Sequence, residues 1–248
     1  MPKVSVTIIT LNEAEHIGAA IDSAAWADEI VIVDSGSTDA TISICKEFTD
    51  KIFSHEFRDY SDQKNYALSQ TGGDWCLSLD ADEAVTGPLK AEILDIIART
   101  RMDGYHIPRG SWIFGRRMHY SGTQDDRPLR LFRRGKARFT QPIHETVRLD
   151  GPAGTLKNPL EHYTYPDVGG YLERLNRYTG MEAEWMKVSG RKARLSDMLL
   201  RPPAKFIQLY CIKQGFRDGY QGFLFSALSA WYVLVKYAKL REARERTA

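Results

Sequence analysis

The feature that most constrains the fold is an apolar run, Trp75–Leu79, that ends in the carboxylates Asp80, Asp82 and Glu83. Glycines before the run and acids after it predict a buried strand whose last residues reach a sheet edge. Residues two apart on an extended segment point the same way, so Asp80 and Asp82 are expected to face one point. Paired carboxylates repel unless a cation lies between them, and oxygen ligands suit Mg²⁺ or Mn²⁺. The alternative is that these acids cap a helix beginning near Pro88.

Strands and helices alternate through the first hundred residues. Strands are predicted at 4–11, 29–34, 51–54 and 75–80, with helices at 15–24, 39–45, 61–69 and 89–100. This alternation predicts an α/β fold with a mostly parallel, Rossmann-like sheet. Shorter strands are predicted at 104–109, 129–133 and 143–149, and helical spacing returns at 167–188, with Val168, Leu172, Leu175 and Met181 on one side.

Local signals predict where several helices begin and end. Asn12 and Glu15 are three apart, the spacing of a capping pair before the first helix. Gly36 permits a tight turn after the second strand, and one of the polar residues at 37–39 is predicted to cap the next helix. The pair Pro202-Pro203 is interpreted as a helix stop.

Polar side chains follow three predicted strands. Asn12-Glu13, Asp34 and Asp80 come at the ends of the first, second and central strands, and in a parallel sheet these ends share one edge. A nucleotide suits that edge, with Asp34 accepting hydrogen bonds from base or ribose, backbone near Thr10 flanking the base, and Lys64 reaching a phosphate. The alternatives are that Asp34 only caps a turn and that Lys64 is an exposed helix residue.

The C-terminal quarter is basic although the net charge is only +2. Residues 187–248 contain 13 Lys or Arg and 4 Asp or Glu. Such a module attracts a polyanion or anionic lipid, or is simply a solvated face. The uncharged run at 222–235 has 14 residues, too few for a span of about 20, which favours core packing or an interfacial helix with Trp231 and Tyr232 at the headgroups.

Cysteine usage and the N-terminal run indicate a cytoplasmic setting. The three cysteines are far apart in sequence and show no paired spacing. The N-terminal apolar run is interpreted as a first strand and not as a signal peptide.

Four sequence motifs together resemble the family 2 glycosyltransferases. They are VSVTIITLNE at 4–13, IVDSGSTD at 32–39, QKN at 63–65 and LDADE at 79–83. RLFRRG at 130–135, His144-Glu145, His162-Tyr163 and the tail at 210–222 are similar to small bacterial enzymes that add a sugar to the lipopolysaccharide inner core. The resemblance implies a GT-A fold, a nucleotide-sugar donor (usually a UDP-sugar), a divalent metal, Mg²⁺ or Mn²⁺, and inversion at the anomeric carbon.

The resemblance also implies roles for individual residues. It assigns donor binding to Thr10, Asn12, Glu13, Asp34, Lys64, Asp80, Arg130 and His144, and metal binding to Asp82, Asp80 and His162. An inverting transfer needs a carboxylate to take the acceptor proton. Asp126 is the first candidate, Asp125 is the alternative if the register differs by one, and Glu145 is the fallback.

The expected organisation is a GT-A catalytic domain at 1–165, with a donor half to about residue 100, and a helical, basic region at 166–248 on the inner face of the cytoplasmic membrane. The expected reaction moves a sugar, glucose by analogy, to a lipid-linked acceptor such as core heptose. Alternatives are another cell-envelope or protein acceptor, and a non-enzymatic module that binds a nucleotide or polyanion. A nucleotidyltransferase is disfavoured because the segment after the first strand is acidic instead of glycine-rich and basic. No nucleic acid partner is expected.

Overall fold

The computed structural model describes residues 1–141 and 146–245. The strands are β1 Val4–Thr10, β2 Glu29–Asp34, β3 Ile52–Ser54, β4 Trp75–Asp80, β5 Glu83–Val85, β6 Gly104–His106, β7 Arg109–Ile113, β8 Arg116–Arg117, β9 Leu129–Arg133, β10 Ala137–Thr140, β11 Thr146–Leu149, β12 Ala153–Thr155 and β13 Leu160–Tyr165. The helices are α1 Ile17–Ser23, α2 Thr41–Cys45, α3 Tyr60–Ser69, α4 Gly87–Ile97, α5 Val168–Val188, α6 Leu195–Ile207 and α7 Gly219–Glu245.

The chain forms two compact units. The first unit comprises Met1–Arg109 and Asp126–His162, and the second comprises Gly110–Asp125 and Tyr163–Ala248. Segment 110–125 belongs to the second unit because the buried carboxylate of Asp218 accepts hydrogen bonds from the His119 and Tyr120 amides at 3.1 and 2.9 Å. The functional division at residue 165 stays a prediction.

A seven-stranded sheet organises the first unit, in the order β12-β6-β9-β4-β1-β2-β3. β1 pairs in parallel with both β2 and β4, β2 pairs in parallel with β3, and β9 runs antiparallel to β4 and β6. Apolar side chains of β1 and β4 are buried against α1 and α4 in one core cluster, which includes Ile8, Ile21, Leu77 and Ile93. The parallel α/β sheet predicted from sequence is therefore present, with one antiparallel strand inserted.

Two local interpretations are wrong and two are confirmed. Asn12 does not form a capping pair: it has a φ of 54°, its side chain accepts a hydrogen bond from the Thr38 amide at 2.8 Å, and α1 begins at Ile17. The capping alternative for the acids after β4 fails because Thr86 caps α4 by accepting from the Leu89 amide at 3.2 Å. The turn at Gly36 is confirmed, with a φ of 97°. The cap predicted at 37–39 is also present, because the Asp39 carboxylate accepts a hydrogen bond at 3.0 Å from the amide of Thr41, the first residue of α2.

In the second unit, α6 contacts α7, and α5 contacts α7. The proline pair does not stop a helix, because α6 continues through both prolines into a π-helical turn at Gln208–Ile212. The buried side of α5 differs in part from the predicted one: Leu175 is buried as predicted, but Val168 and Leu172 are exposed and Tyr171 is buried instead.

Helix α7 is longer than the uncharged run that it contains. Among the described residues, one helical segment, Gly215–Glu245, is long and apolar enough to cross a membrane by length and composition alone, and 22% of its most apolar 18 residues are buried. Tyr232 on α7 donates a hydrogen bond to Glu182 of α5 at 2.6 Å. Its hydroxyl therefore contributes to helix packing, whereas the neighbouring Trp231 is exposed, and contact of α7 with lipid stays a prediction.

Candidate active site

The carboxyl ends of three neighbouring strands carry the predicted site residues. Strand register pairs Thr10 with Asp34 and Ile9 with Asp80, so the ends of β2, β1 and β4 lie side by side at one edge. β4 ends at Asp80, and the chain turns at Ala81 and Asp82. The turn interrupts the strand alternation on which the predicted pairing of Asp80 with Asp82 depended.

Three cations surround Asp80. The Lys64 ammonium lies 2.8 Å from one carboxylate oxygen, and Arg109 lies 3.2 Å from the other, which also contacts Arg130. Lys64 and Arg130 are almost entirely buried. Burial raises the pKa of the Asp80 carboxyl, but the charges of Arg130, Lys64 and Arg109 outweigh burial and hold that pKa well below its usual range. Asp80 is thus ionised and stabilises the three cations Lys64, Arg109 and Arg130, which form the cation cluster of the site.

Glu83 is the second anion of this cation cluster. Its fully buried carboxylate lies 2.7 Å from Arg109 Nε and 3.0 Å from Arg130 Nη2, and it accepts a hydrogen bond from the Asp80 amide at 2.9 Å. Arg109 extends the cluster to Asp126, whose carboxylate is 3.4 Å away. The Arg109 amide also donates to the Asp126 carbonyl at 3.0 Å, so both backbone and side chain hold Asp126 beside the cluster.

Asp82 and His162 form a separate pair of potential metal ligands. His162 Nε2 lies 3.5 Å from Asp82 Oδ1, and both side chains are largely buried. β13 brings His162 there by pairing antiparallel with β5, with His162 opposite Glu83. Residues 1–141 and 146–245 contain no group of three or more His, Cys, Asp or Glu that could hold a metal. The pair fits a Mg²⁺ or Mn²⁺ site that needs diphosphate oxygens and water to complete it. Asp80, which the sequence also predicted as a metal ligand, instead contacts Lys64, Arg109 and Arg130.

The end of β2 forms a tight polar turn. The Asp34 carboxylate accepts hydrogen bonds from the Gly36 and Ser37 amides, both at 2.9 Å. Asn12 and Glu13 attach the end of β1 to this turn through their backbone amides, which donate to Ser37 and Thr41. The Thr10 hydroxyl is buried and has no hydrogen-bond partner among the residues that the structure describes. An unsatisfied buried hydroxyl at a strand end is a candidate ligand contact.

The candidates for the proton acceptor differ in their surroundings. Asp125, in the second unit, forms an ion pair with Lys213 at 2.8 Å. Asp126, in the first unit, is held by Arg109 as described above. His144 and Glu145, predicted as a donor contact and a fallback base, lie outside the described residues.

The sequence-based prediction missed Arg109 and Glu83 as members of the cation cluster. Arg109 reaches Asp80, Glu83 and Asp126 because β7 begins directly after Pro108, and no spacing in the sequence marks that approach. Glu83 offered a signal, as an acid directly after Asp80 and Asp82, but its partners lie far away along the chain.

Comparison with known proteins identifies relatives. The sequence model described as "Glycosyl transferase family 2" matches residues 5–164. The lipopolysaccharide core biosynthesis glycosyltransferase LpsC of Rhizobium meliloti (strain 1021) is 31% identical over 251 residues, covering 97% of this chain and 93% of that protein.

Two solved structures are similar over almost the whole chain. The mannosyltransferase PcManGT from Pyrobaculum calidifontis, in complex with GDP-Man and Mn²⁺, has a TM-score of 0.55 at 16% identity, covering 97% of this chain and 87% of that one. S. aureus TarS in complex with UDP-GlcNAc has a TM-score of 0.52 at 14% identity, covering 99% and 92%. At these identities the likeness shows the fold alone, and it confirms the predicted GT-A fold.

Proposed function

Because the chain belongs to glycosyl transferase family 2, we propose that it is a metal-dependent, inverting enzyme that moves a hexose from a UDP-sugar to a lipid-linked saccharide. The observation that carries this proposal is the arrangement at the end of β4. There, the cation cluster, which is suited to binding phosphate, and the Asp82–His162 pair, which is suited to binding a metal, belong to the same unit. The ends of β1 and β2 lie at the same sheet edge. Groups that could bind a diphosphate and groups that could bind its metal are thus both present.

The donor is proposed to bind along the ends of β1, β2 and β4. Asp34 and the buried Thr10 hydroxyl are the proposed nucleoside contacts, with Asn12 and Glu13 shaping the turn. Lys64 and Arg130 are the proposed diphosphate contacts, and a diphosphate would compete with Asp80 for them. Asp82 and His162 would hold Mg²⁺ or Mn²⁺, which supplies positive charge to the leaving diphosphate when it is bound.

The proposed base is Asp126. The acceptor hydroxyl oxygen attacks the anomeric carbon, the bond from that carbon to the diphosphate oxygen breaks, and its electron pair leaves with UDP. The hydroxyl proton passes to an Asp126 carboxylate oxygen. Arg109 supports this role because it orients the Asp126 backbone and side chain and links them to the diphosphate-binding cations. Attack opposite to the leaving group inverts the anomeric centre.

The proposed acceptor is a lipopolysaccharide core sugar, heptose, with glucose as the transferred sugar. The support is the likeness to the Rhizobium meliloti core glycosyltransferase over nearly the full length of both chains. A lipid-linked acceptor places the enzyme at the inner face of the cytoplasmic membrane, as a peripheral protein.

A donor panel tests the proposal. The purified chain is incubated with UDP- and GDP-sugars, with Mn²⁺, Mg²⁺ or a chelator, and nucleotide release is measured with and without a deacylated core oligosaccharide. Metal-dependent UDP release that is stimulated by the acceptor, with an inverted linkage by NMR, is the expected result. Nucleotide binding without turnover of any donor would contradict the proposal and favour a binding module.

A further inference from the structure

Helix α6 presents its apolar side to the exterior of the protein. Leu195, Leu199, Pro203 and Ile207 recur every four residues and so share one face. All four are exposed, and the three large side chains are 60%, 62% and 52% accessible. Leu200 beside them is 67% accessible. No residue of α6 is buried.

The charged residues of α6 lie on its other side, toward α7. Met198 packs against the cluster that contains Tyr237 and Leu240, and the Arg201 guanidinium lies 5.4 Å from the centre of the Tyr237 ring. Burial and the charge of Lys236 lower the pKa of Lys205. This orientation is the reverse of a normal surface helix, whose apolar stripe faces the core.

The apolar face continues along the chain and is bordered by positive charge. Ile212, Phe216 and Tyr220 follow α6 and are each more than half exposed. Segment 187–220 contains eight Lys or Arg and two acids, Asp197 and Asp218. Asp197 forms an ion pair with Arg201 at 2.6 Å, and Asp125 neutralises Lys213 at 2.8 Å. Asp218 is buried against backbone amides, so the remaining outward charge of the segment is basic.

We propose that α6 and the segment that follows it, residues 195–220, lie in the headgroup region of an anionic lipid bilayer, with Leu195, Leu199, Leu200 and Ile207 inserted. An interfacial helix needs an apolar face beside Lys and Arg, and α6, about 20 Å long, is sufficient for one. A second copy of the chain is a poorer occupant because it would oppose the same basic borders. The assignment rests on the proposed function for its lipid-linked acceptor.

Vesicle flotation tests the surface without a sugar donor. The full chain is mixed with vesicles of phosphatidylcholine alone or with phosphatidylglycerol. We expect it to float with the anionic vesicles only, and Leu199→Glu/Ile207→Glu to lower the partition coefficient at least about tenfold. Lys192→Gln alone should lower the partition coefficient of the parent chain about fivefold, because one positive charge near the surface is lost. The matched control is Phe48→Glu/Met102→Glu, which adds the same two negative charges at exposed apolar residues of the first unit and should float as the parent does.

Three results would overturn the assignment. The intact chain could stay with the soluble fraction, the double variant could float like the parent, or sedimentation could show a dimer that the double variant dissociates. Donor hydrolysis by the same samples separates this surface from the proposed function. If the chain floats in an α6-dependent way but hydrolyses no donor, the membrane-binding surface is supported and the proposed transferase activity is contradicted. If it hydrolyses a donor but does not float, the activity is supported and the membrane-binding surface is contradicted.

Discussion

Replacing Glu83 by Gln tests whether the cation cluster is balanced by buried charge. The fully buried carboxylate faces Arg109 and Arg130 at 2.7 and 3.0 Å. Lys64, Arg109 and Arg130 are matched by Asp80, Glu83 and Asp126, so Glu83→Gln leaves one positive charge in excess. A Gln oxygen still accepts from the Asp80 amide, which preserves that hydrogen bond.

The expected loss of unfolding free energy is about 3 kcal/mol, since removing one partner of a buried ion pair costs roughly 3–5 kcal/mol and Asp80 still offsets part of the excess. The matched control is Asp95→Asn, which removes the ion pair with Arg99 on the surface of α4. Those side chains are 59% and 72% exposed, so the control should cost less than about 1 kcal/mol.

Urea unfolding with tryptophan fluorescence and circular dichroism measures both variants. At a slope of about 2 kcal/mol per M, Glu83→Gln should lower the midpoint of the first unit by roughly 1.5 M. A shift no larger than that of Asp95→Asn, or an increase, would refute the charge-balance argument. Two transitions are to be fitted separately if the units unfold independently.

Three further predictions follow from the same contacts. Asp126→Asn should lower kcat for transfer about 100-fold or more, whereas Asp125→Asn should change it less than about threefold; equal effects in steady-state kinetics would contradict the proposed base. The Asp80 pKa is lowered by folding, so its contribution to stability is full above the unfolded pKa of about 4 and is lost as the pH falls through the folded value. The stability gap between the parent and Asp80→Asn should therefore shrink from pH 7 to pH 3 in urea titrations, and a constant gap would be inconsistent with this. Asp218→Ala should destabilise the second unit by about 2–4 kcal/mol because two backbone amides lose their acceptor, and an unchanged second transition would refute that role.

The strand framework could be predicted because local pattern determines it. The apolar run that ends at Asp80 is buried on both faces, and the topological rule for parallel sheets placed Asp34 and Asp80 at one edge. The same reasoning failed at Asp82, because the chain leaves the strand at Ala81 and alternation no longer applies. Its approach to His162 depends on β13, which pairs with β5 about eighty residues later.

Long-range packing determined what the sequence did not reveal. Arg109 has no motif of its own, and only the fold brings it to Asp80, Glu83 and Asp126. The proline pair was interpreted as a stop because each proline removes a helical hydrogen bond, yet α6 continues through both. Membrane contact was assigned to the aromatic residues of α7. Tyr232 is turned toward Glu182 and Trp231 is exposed, and a further exposed apolar face, which the sequence analysis did not single out, lies on α6.

The most direct test of the central claim is UDP binding measured by calorimetry with and without Mn²⁺, for the parent, Asp82→Ala and Asp95→Ala. If the end of β4 is the donor and metal site, Mn²⁺ should tighten UDP binding to the parent and to Asp95→Ala. In the presence of Mn²⁺, Asp82→Ala should bind UDP at least about tenfold more weakly than the parent. Equal Mn²⁺-dependent affinity in all three proteins would contradict the site.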